Sequence, residues 1–275
     1  MILDLDKLTK IAIQAALSAG NVIRESRNKH IEVDAKNAGS SLASQVVTDV
    51  DRACESVILD RLKESCEELD IALLSEETED NGSRFQKEYF WCIDPMDGTL
   101  AFINGYPGFA VSIALVSRDG IPQIGVVYDP STDILYHAIK GSGAFKNGKP
   151  WTLKRKNDYL TYVTDKALKD TPRLSELKVI LNGYTDRFGL NGYKEMAGAG
   201  SVLNAIHVLK NGPAILLKFP KKEQGGGSLW DFAATACMYG ELGVQATDFG
   251  GERLDLNKKE NTYMNEKGVC FANLI

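Results

Sequence analysis

The sequence predicts an α+β fold in which helices cover an antiparallel or mixed sheet. Two amphipathic helical segments come first, and five short apolar runs with the length of β-strands follow them. Strands in direct succession indicate a layered α+β arrangement, whereas strict alternation of strand and helix would indicate βαβ winding. The chain has 275 residues, of which 44% are hydrophobic, so it can bury a large core.

The two predicted helices carry apolar residues at intervals of three and four. In the first helix this stripe extends from Leu8 to Ile23, and Asp4 or Asp6 is expected to cap the start. After a polar stretch at residues 37–41, the second helix is predicted over about residues 49–66. The residues expected on its buried face are Ala53, Val57, Ile58 and Leu62.

The predicted strands of the first half are rich in Val, Ile and Tyr and are separated by turn-forming residues. They are residues 71–74, 89–93, 109–116, 123–128 and 134–139. A dense cluster of glycine, asparagine and proline follows at residues 141–150. We therefore predict two halves, residues 1–148 and residues 149–275, of which the first carries most of the candidate site.

In the second half, strand-like and helical segments alternate. Strands are predicted at residues 159–164, 178–181 and 214–219, and helices at about residues 201–210 and 231–239. Residues 221–228 (KKEQGGGS) are expected to form a flexible loop, because three consecutive glycines restrict the backbone little. This loop ends three residues before Asp231.

Charge and cysteine content exclude several classes of protein. A net charge of −5 lacks the basic excess with which nucleic-acid-binding proteins neutralise phosphates. No apolar run has the length of a membrane span, and the N-terminus lacks the apolar stretch of a signal peptide. Five cysteines without CxxC spacing are typical of reduced thiols, which favours a cytoplasmic protein. This composition is still compatible with a protein that binds a small anionic substrate.

The strongest chemical signal is the segment of residues 94–99 (DPMDGT), directly after a predicted strand. Pro95 has no N–H and is expected to end the strand, so that Asp94 and Asp97 project from one tight corner. Two close carboxylates repel each other unless one is protonated or a cation lies between them. Mg²⁺ with oxygen ligands fits this pattern, and free N–H groups at the start of the following helical turn attract phosphate. The alternative is an Asp-rich turn in which Asp97 caps a helix.

Three further acidic motifs lie at the ends of predicted elements, and each has an alternative interpretation as a helix cap or a solvated charge. They are Thr48-Asp49, Glu76-Glu77 and Trp230-Asp231. Four acidic motifs at the ends of apolar elements are hard to explain by chance. They indicate one shared site.

In this order and spacing, the four motifs resemble the signatures of the inositol monophosphatase family of Mg²⁺-dependent, lithium-sensitive phosphomonoesterases. Residues 109–115 (FAVSIAL), 125–128 (GVVY) and 141–148 (GSGAFKNG) are also similar to that family. The resemblance implies a layered αβαβα sandwich of two halves with the site between them, commonly as a homodimer. It further implies a small phosphorylated substrate, most simply inositol monophosphate. The charge and the lack of a long apolar run already argue against a nucleic-acid polymer or a membrane as partner.

The resemblance also implies two or three bound Mg²⁺ ions. Glu76, Asp94 and the main-chain carbonyl of Met96 would hold the first ion. Asp94, Asp97 and Asp231 would hold the second, and a weaker third ion would lie near Glu76. These residues come from three of the four acidic motifs.

Other residues would act on the water and the phosphate, again by resemblance. Glu76 would orient a metal-bound water, and Thr99, hydrogen-bonded to Asp49, would help to remove its proton. The main-chain N–H groups of Gly98 and Thr99 would bind the phosphate, and Asp97 is a further expected substrate contact.

The Gly-Thr stretch with which the family contacts its substrate falls within residues 198–201, in one of two registers. Matching the glycine selects Gly198-Ala199, whereas counting back from Asn204 selects Ala199-Gly200. The threonine hydroxyl is missing in either register, so the resemblance leaves the identity of the substrate open.

The segment before Trp230 departs from the family. Inositol-selective members carry a glutamate seven residues before the aspartate of Trp-Asp, where this chain has Gln224, and a longer basic loop occupies residues 218–228. One alternative is a 3′(2′),5′-bisphosphate nucleotidase with the same metal core, in which Lys221 or Lys222 could receive the second phosphate. Another alternative is a non-catalytic phosphoester-binding regulator. Such a protein would be expected to lack one of the family's metal ligands, and none is missing from this sequence.

Overall fold

The computed structural model describes residues 3–27, 33–35, 46–165, 170 and 173–275. The polar stretch of residues 37–41 lies outside the described residues. Within them, α-helices pack on a seven-stranded sheet and a five-stranded sheet, and two further strands form a small ladder. The predicted α+β class is confirmed.

The described residues contain six α-helices. They are α1 (Leu5–Ser26), α2 (Asp49–Glu68), α3 (Thr99–Ile103), α4 (Leu174–Arg187), α5 (Ser201–Lys210) and α6 (Leu229–Leu242). The side chain of Asp4 caps α1 by accepting the Lys7 N–H at 2.9 Å, as the sequence predicts. Ala53 is exposed, so its prediction as part of the buried face of α2 was wrong. The buried stripe of α2 repeats every fourth residue instead and includes Val50, Cys54, Ile58 and Leu62.

The strands of the described residues are short, apart from those that form the middle of the seven-stranded sheet. They are β1 (Val33–Ala35), β2 (Val46–Thr48), β3 (Ala72–Ser75), β4 (Tyr89–Asp97), β5 (Ala110–Ser117), β6 (Pro122–Asp129), β7 (Ile134–Ile139), β8 (Gly143–Lys146), β9 (Lys149–Pro150), β10 (Leu160–Thr164), β11 (Tyr193–Ala197), β12 (Ala214–Lys218), β13 (Gln245–Thr247) and β14 (Val269–Asn273). All five strands predicted for the first half are present.

The seven-stranded sheet follows chain order from β3 to β9 and is mixed. β3 pairs with β4 in parallel, and every later pair is antiparallel. Because successive side chains of a strand point to opposite faces, β4 contributes side chains to two hydrophobic cores. Trp91 and Ile93 pack with α1 and α2, whereas Phe90 and Cys92 pack with α5 and α6. The sheet therefore lies between two helical layers.

The five-stranded sheet has the order β11-β10-β12-β14-β13 and packs on the other side of α5 and α6. Its far face is covered by α4, which buries Leu177 and Leu181 against Leu160 and Ile215. The succession of helices, sheet, helices, sheet and helix confirms the predicted αβαβα sandwich. β9 completes the first sheet and β10 begins the second, and the division into residues 1–148 and 149–275 stays a prediction.

The strand predicted at residues 178–181 was wrong, because these residues lie inside α4. Three consecutive apolar residues, 179–181, are equally compatible with a helical turn. In the structure Leu177 and Leu181 are buried four residues apart, while Val179 is 72% exposed. The edge strand next to β10 is β11 instead, and its side chains are half-buried or exposed, so it carries little apolar signal.

All five cysteines are free, in agreement with the expectation of reduced thiols. Burial raises the pKa of the Cys270 thiol to about 11, which leaves it a poor nucleophile at neutral pH. No helix in the described part of the chain is long and apolar enough to span a membrane.

Candidate metal centre and active site

Three carboxylates from distant parts of the chain meet between the two sheets. Asp94 and Asp97 come from β4 and Asp231 from the first turn of α6, and each offers an oxygen within 4.8 Å of the others. Asp94 is 2% exposed and Asp97 is 7% exposed. The sequence placed these three residues in one site, and the structure brings them together.

The local shape of β4 differs from the predicted one. We expected Pro95 to end the strand, but β4 continues to Asp97. Asp94 pairs with Ser112 and Asp97 with Ala110, so the register shifts between the two aspartates. Such a bulge accommodates a proline, which cannot donate to the ladder, and it re-aims neighbouring side chains. The bulge rather than a strand end therefore places both carboxylates in the site.

Asp97 does not cap the helix that follows it. Gly98 is the N-cap residue of α3, with φ at +88°, and a Cβ at this position would lie 2.5 Å from the Gly108 carbonyl oxygen. The carboxylate of Asp97 instead accepts the N–H groups of Ser201 at 3.0 Å and Val202 at 2.8 Å, at the start of α5. Asp97 thereby joins the seven-stranded sheet to the α5 layer.

The stretch of residues 198–201 lies against this aspartate. A Cβ on Gly200 would come within 2.3 Å of the Asp97 Oδ2 atom, so only glycine allows this approach. The Gly200 N–H donates to the Gly108 carbonyl at 2.8 Å, which holds the stretch beside β5. Both predicted registers, Gly198-Ala199 and Ala199-Gly200, fall at the site, and the contact with substrate stays a prediction.

Asp231 both caps a helix and belongs to the cluster. Its Oδ2 atom accepts the Ser228 N–H at 2.6 Å in a capping box at the start of α6. Burial and the charge of Glu76 raise the pKa of Asp231 to about 6. Asp231 can therefore cap α6 and also serve as a metal ligand.

Glu76 lies next to the cluster, at the end of β3. Its N–H donates to the Ile93 carbonyl at 3.1 Å, which places Glu76 beside the last residues before the bulge. The residue is half-buried, and its charge acts on both Asp51 and Asp231. Glu77 follows it and is also half-buried.

The donor set fits a hard divalent cation. Burial and the neighbouring Asp231 charge raise the pKa of Asp97 well above its ordinary value. Two buried carboxylates and a half-buried one within 4.8 Å of each other are costly without a compensating cation, and oxygen ligands of this kind suit Mg²⁺. Asp94, Asp97 and Asp231, with Glu76 beside them, are the residues that could hold it.

The predicted hydrogen bond between Thr99 and Asp49 was wrong. Asp49 is exposed at the start of α2, and the Thr99 hydroxyl lies 3.1 Å from the Asp51 Oδ1 atom. The same hydroxyl lies 3.2 Å from the Met96 carbonyl oxygen, so its one proton is shared between two acceptors. Asp51 is 2% exposed, and burial raises its pKa above the ordinary value.

The helix start explains why Asp51 and not Asp49 faces the site. Asp51 accepts the Thr48 N–H at 2.7 Å, and Thr48 caps α2 in return, so the two residues form a capping box. This directs the Asp51 side chain back towards Thr48 and into the interior. The spacing Thr-x-x-acid was visible in the sequence and is the signal that could have identified Asp51.

Titration of Asp231 gives a test of the cluster in metal-free protein. The pKa of Asp231 is about 6 in the folded chain against about 3.9 in an unfolded one, so the folded state is destabilised above pH 6 and this penalty disappears as the pH falls towards 4. We expect Asp231→Asn to raise the free energy of unfolding by about 1–2 kcal/mol at pH 7.5 and by less at pH 5. Denaturant unfolding with a chelator present measures this difference. The control is Asp60→Asn on the exposed face of α2, and a gain for Asp231→Asn that is equal at both pH values would contradict the assignment.

Comparison with known proteins gives one consistent result. The model of the inositol monophosphatase family matches residues 4–273. Inositol monophosphatase 3 of Solanum lycopersicum is 31% identical over 261 residues, which cover 92% of this chain and 90% of that protein. The Nus factor SuhB of Escherichia coli K12 is 40% identical over 141 residues, 51% of this chain and 50% of SuhB. The solved structure of CysQ from Bacteroides thetaiotaomicron has the same fold, with a TM-score of 0.74 at 24% identity over 97% of both chains.

Proposed function

Since the chain belongs to the inositol monophosphatase family and is therefore a phosphoric monoester hydrolase, we propose that its substrate is an inositol monophosphate. The observation that carries the proposal is the convergence of Asp94, Asp97 and Asp231, with the charge of Glu76 acting on Asp231. The match to a relative named as an inositol monophosphatase over nearly its whole length supports the choice of substrate.

We propose Mg²⁺ as the cofactor. Glu76, Asp94 and the carbonyl of Met96 would hold one ion, Asp94, Asp97 and Asp231 a second, and a weaker third ion would lie near Glu76. When bound, Mg²⁺ lowers the pKa of a coordinated water and takes up charge on the attacking and leaving oxygens. The protein then has to hold the phosphate in place and accept one proton.

The residues around the cluster are suited to these two tasks. We propose that Glu76 orients the attacking water and that Thr99 Oγ1 accepts its proton while passing its own to Asp51 Oδ1, 3.1 Å away. The raised pKa of Asp51, caused by burial, favours this acceptance. The N–H groups of Gly98 and Thr99, at the first turn of α3, would hold the phosphate oxygens.

The test of the substrate is phosphate release from a panel of compounds at saturating Mg²⁺. The panel contains inositol 1-phosphate, 3′-phosphoadenosine 5′-phosphate, fructose 1,6-bisphosphate and glycerol 2-phosphate. We expect kcat/KM to be highest for inositol 1-phosphate, by about tenfold or more, because a pocket built for hydroxyls rejects analogues that leave its polar groups unpaired. We also expect millimolar Li⁺ to inhibit. Hydrolysis of none of the four compounds would contradict the proposal.

A second candidate substrate is a 3′(2′),5′-bisphosphate nucleotide. The observation that favours it is the basic segment at the end of β12 and just after it. Lys218 acts on the acidic cluster, and Lys221 and Lys222 begin the loop before Asp231. A second phosphate would find positive charge there, whereas an inositol ring presents hydroxyls. If 3′-phosphoadenosine 5′-phosphate gives the highest kcat/KM in the panel above, the substrate is a bisphosphate nucleotide and not an inositol monophosphate.

Two further expectations belong to the proposal. We propose that the protein forms a homodimer, which sedimentation of the purified chain tests. We also propose that it works in the cytoplasm, where five free thiols stay reduced.

A further inference from the structure

A buried lysine lies beside the candidate metal centre, where sequence reasoning assigned none. Lys218, the last residue of β12, has a side chain that is only 14% exposed. Its Nζ atom lies 2.7 Å from the Asp165 Oδ2 atom and donates to the Ser201 hydroxyl, also at 2.7 Å. Because an ammonium has three donors and two are engaged, the charge is held in one place.

Ser201 connects this lysine to the acidic cluster. Its hydroxyl accepts from Lys218, and its own N–H donates to the Asp97 carboxylate at 3.0 Å. Burial lowers the pKa of Lys218, but the charges of Asp165, Asp231 and Asp97 outweigh this effect and raise it. The lysine is therefore charged at neutral pH and acts on two of the proposed ligands.

Lys218 has a partner that moderates its charge. Asp165, just after β10, is 42% exposed and accepts the Asn204 side-chain amide at 2.8 Å as well as the ammonium. Its own negative charge also acts on Asp97 and Asp231. The pair thus brings one positive and one negative charge to the same side of the cluster.

We propose that Lys218 is a positioning residue whose fixed positive charge lowers the Mg²⁺ affinity of the Asp97–Asp231 side of the centre, and that Asp165 limits this effect. The inference rests on the proposed metal dependence. A buried cation that is linked to a carboxylate ligand through Ser201 competes electrostatically with a divalent ion for the same negative charge, and it does so most strongly where water is excluded. It follows that the two charges change the metal affinity in opposite directions.

The experiment is calorimetric titration of Mg²⁺ into metal-free protein without substrate. We expect Lys218→Met to lower the dissociation constant by about threefold or more, and Asp165→Asn to raise it by about threefold or more. The double variant should bind Mg²⁺ less tightly than Lys218→Met and more tightly than Asp165→Asn, because the two lost charges act in opposite directions on Asp97 and Asp231. Lys218→Arg, which keeps the charge, should bind Mg²⁺ like the unchanged protein.

The matched control is Lys258→Met. Lys258 is as buried as Lys218, with a side chain 11% exposed, but it pairs with Glu266 and the Tyr263 carbonyl. Its loss should leave the Mg²⁺ dissociation constant unchanged. Lys218→Gln provides a second neutral variant that can still hydrogen-bond, and thermal unfolding in chelator shows that each variant is folded.

Two results would overturn the inference in distinguishable ways. If neutral variants at Lys218 and at Asp165 shift the affinity in the same direction, or not at all, Lys218 has only a structural role. If the unchanged protein binds no Mg²⁺, the proposed metal centre fails first, and the inference fails with it.

Discussion

Asp94→Asn is expected to abolish turnover while leaving the fold intact. Asp94 is the one carboxylate assigned to both proposed ions, and an amide oxygen is a weaker and neutral ligand. The Asn side chain can still accept the Met96 N–H, which lies 3.1 Å from Asp94 Oδ1, so the bulge in β4 does not depend on the charge. We expect kcat/KM to fall by about 100-fold or more at saturating Mg²⁺.

The melting temperature of Asp94→Asn shows whether the variant has lost only a metal ligand or has a damaged fold. In the metal-free protein Asp94 lies within 4.8 Å of two other carboxylates, so its neutralisation relieves repulsion and should leave the melting temperature unchanged or raised. The control is Asp129→Asn, since Asp129 is also buried but accepts hydrogen bonds from Ser131 and Thr132 outside the site. If Asp94→Asn keeps more than about a tenth of the activity, the two-ion assignment is wrong.

The sequence was sufficient for the middle of the first sheet, because these strands are long and mostly buried. It missed the short strands β8 and β9, which lie in the segment predicted as a turn cluster. β5 and β6 are almost continuously apolar and end at clear turns, so periodicity and turn residues agree. In the second half that agreement is lost. β11 is a partly exposed edge strand, and residues 178–181, which were predicted as a strand, form a helical turn.

The acidic cluster was predictable for a different reason. Asp94 and Asp97 lie three residues apart, so any compact local structure keeps them close, and Asp231 is identified by its motif. The bulge at Pro95 was not predictable, because it depends on how β5 pairs with both sides of it. Lys218 was not identified either, since its role follows from Asp165 and Ser201, which only the folded chain brings to it.

Asp51→Asn is the second substitution for which we expect a large loss of activity. Asp51 accepts the Thr99 hydroxyl at the site and closes the capping box of α2 through Thr48. The neutral side chain retains a carbonyl oxygen for the Thr48 N–H but cannot take up a proton from Thr99. We therefore expect kcat to fall by about 100-fold with a small change in KM, as measured by steady-state phosphate release.

The chain contains a matched control two residues away. Asp49 belongs to the same helical turn but is exposed, so Asp49→Asn removes the same charge without touching Thr99. Asp49→Asn loses an exposed charge that favours the start of α2, so a small loss of stability is expected. Asp51→Asn loses a charge there too, but this charge is buried and its pKa is raised by burial, so the variant should be at least as stable as Asp49→Asn. Thermal unfolding measures both stabilities, and steady-state kinetics then identify the proton acceptor. A loss of kcat in Asp49→Asn with full activity in Asp51→Asn would restore the sequence-based assignment and remove Asp51 from the proposed mechanism.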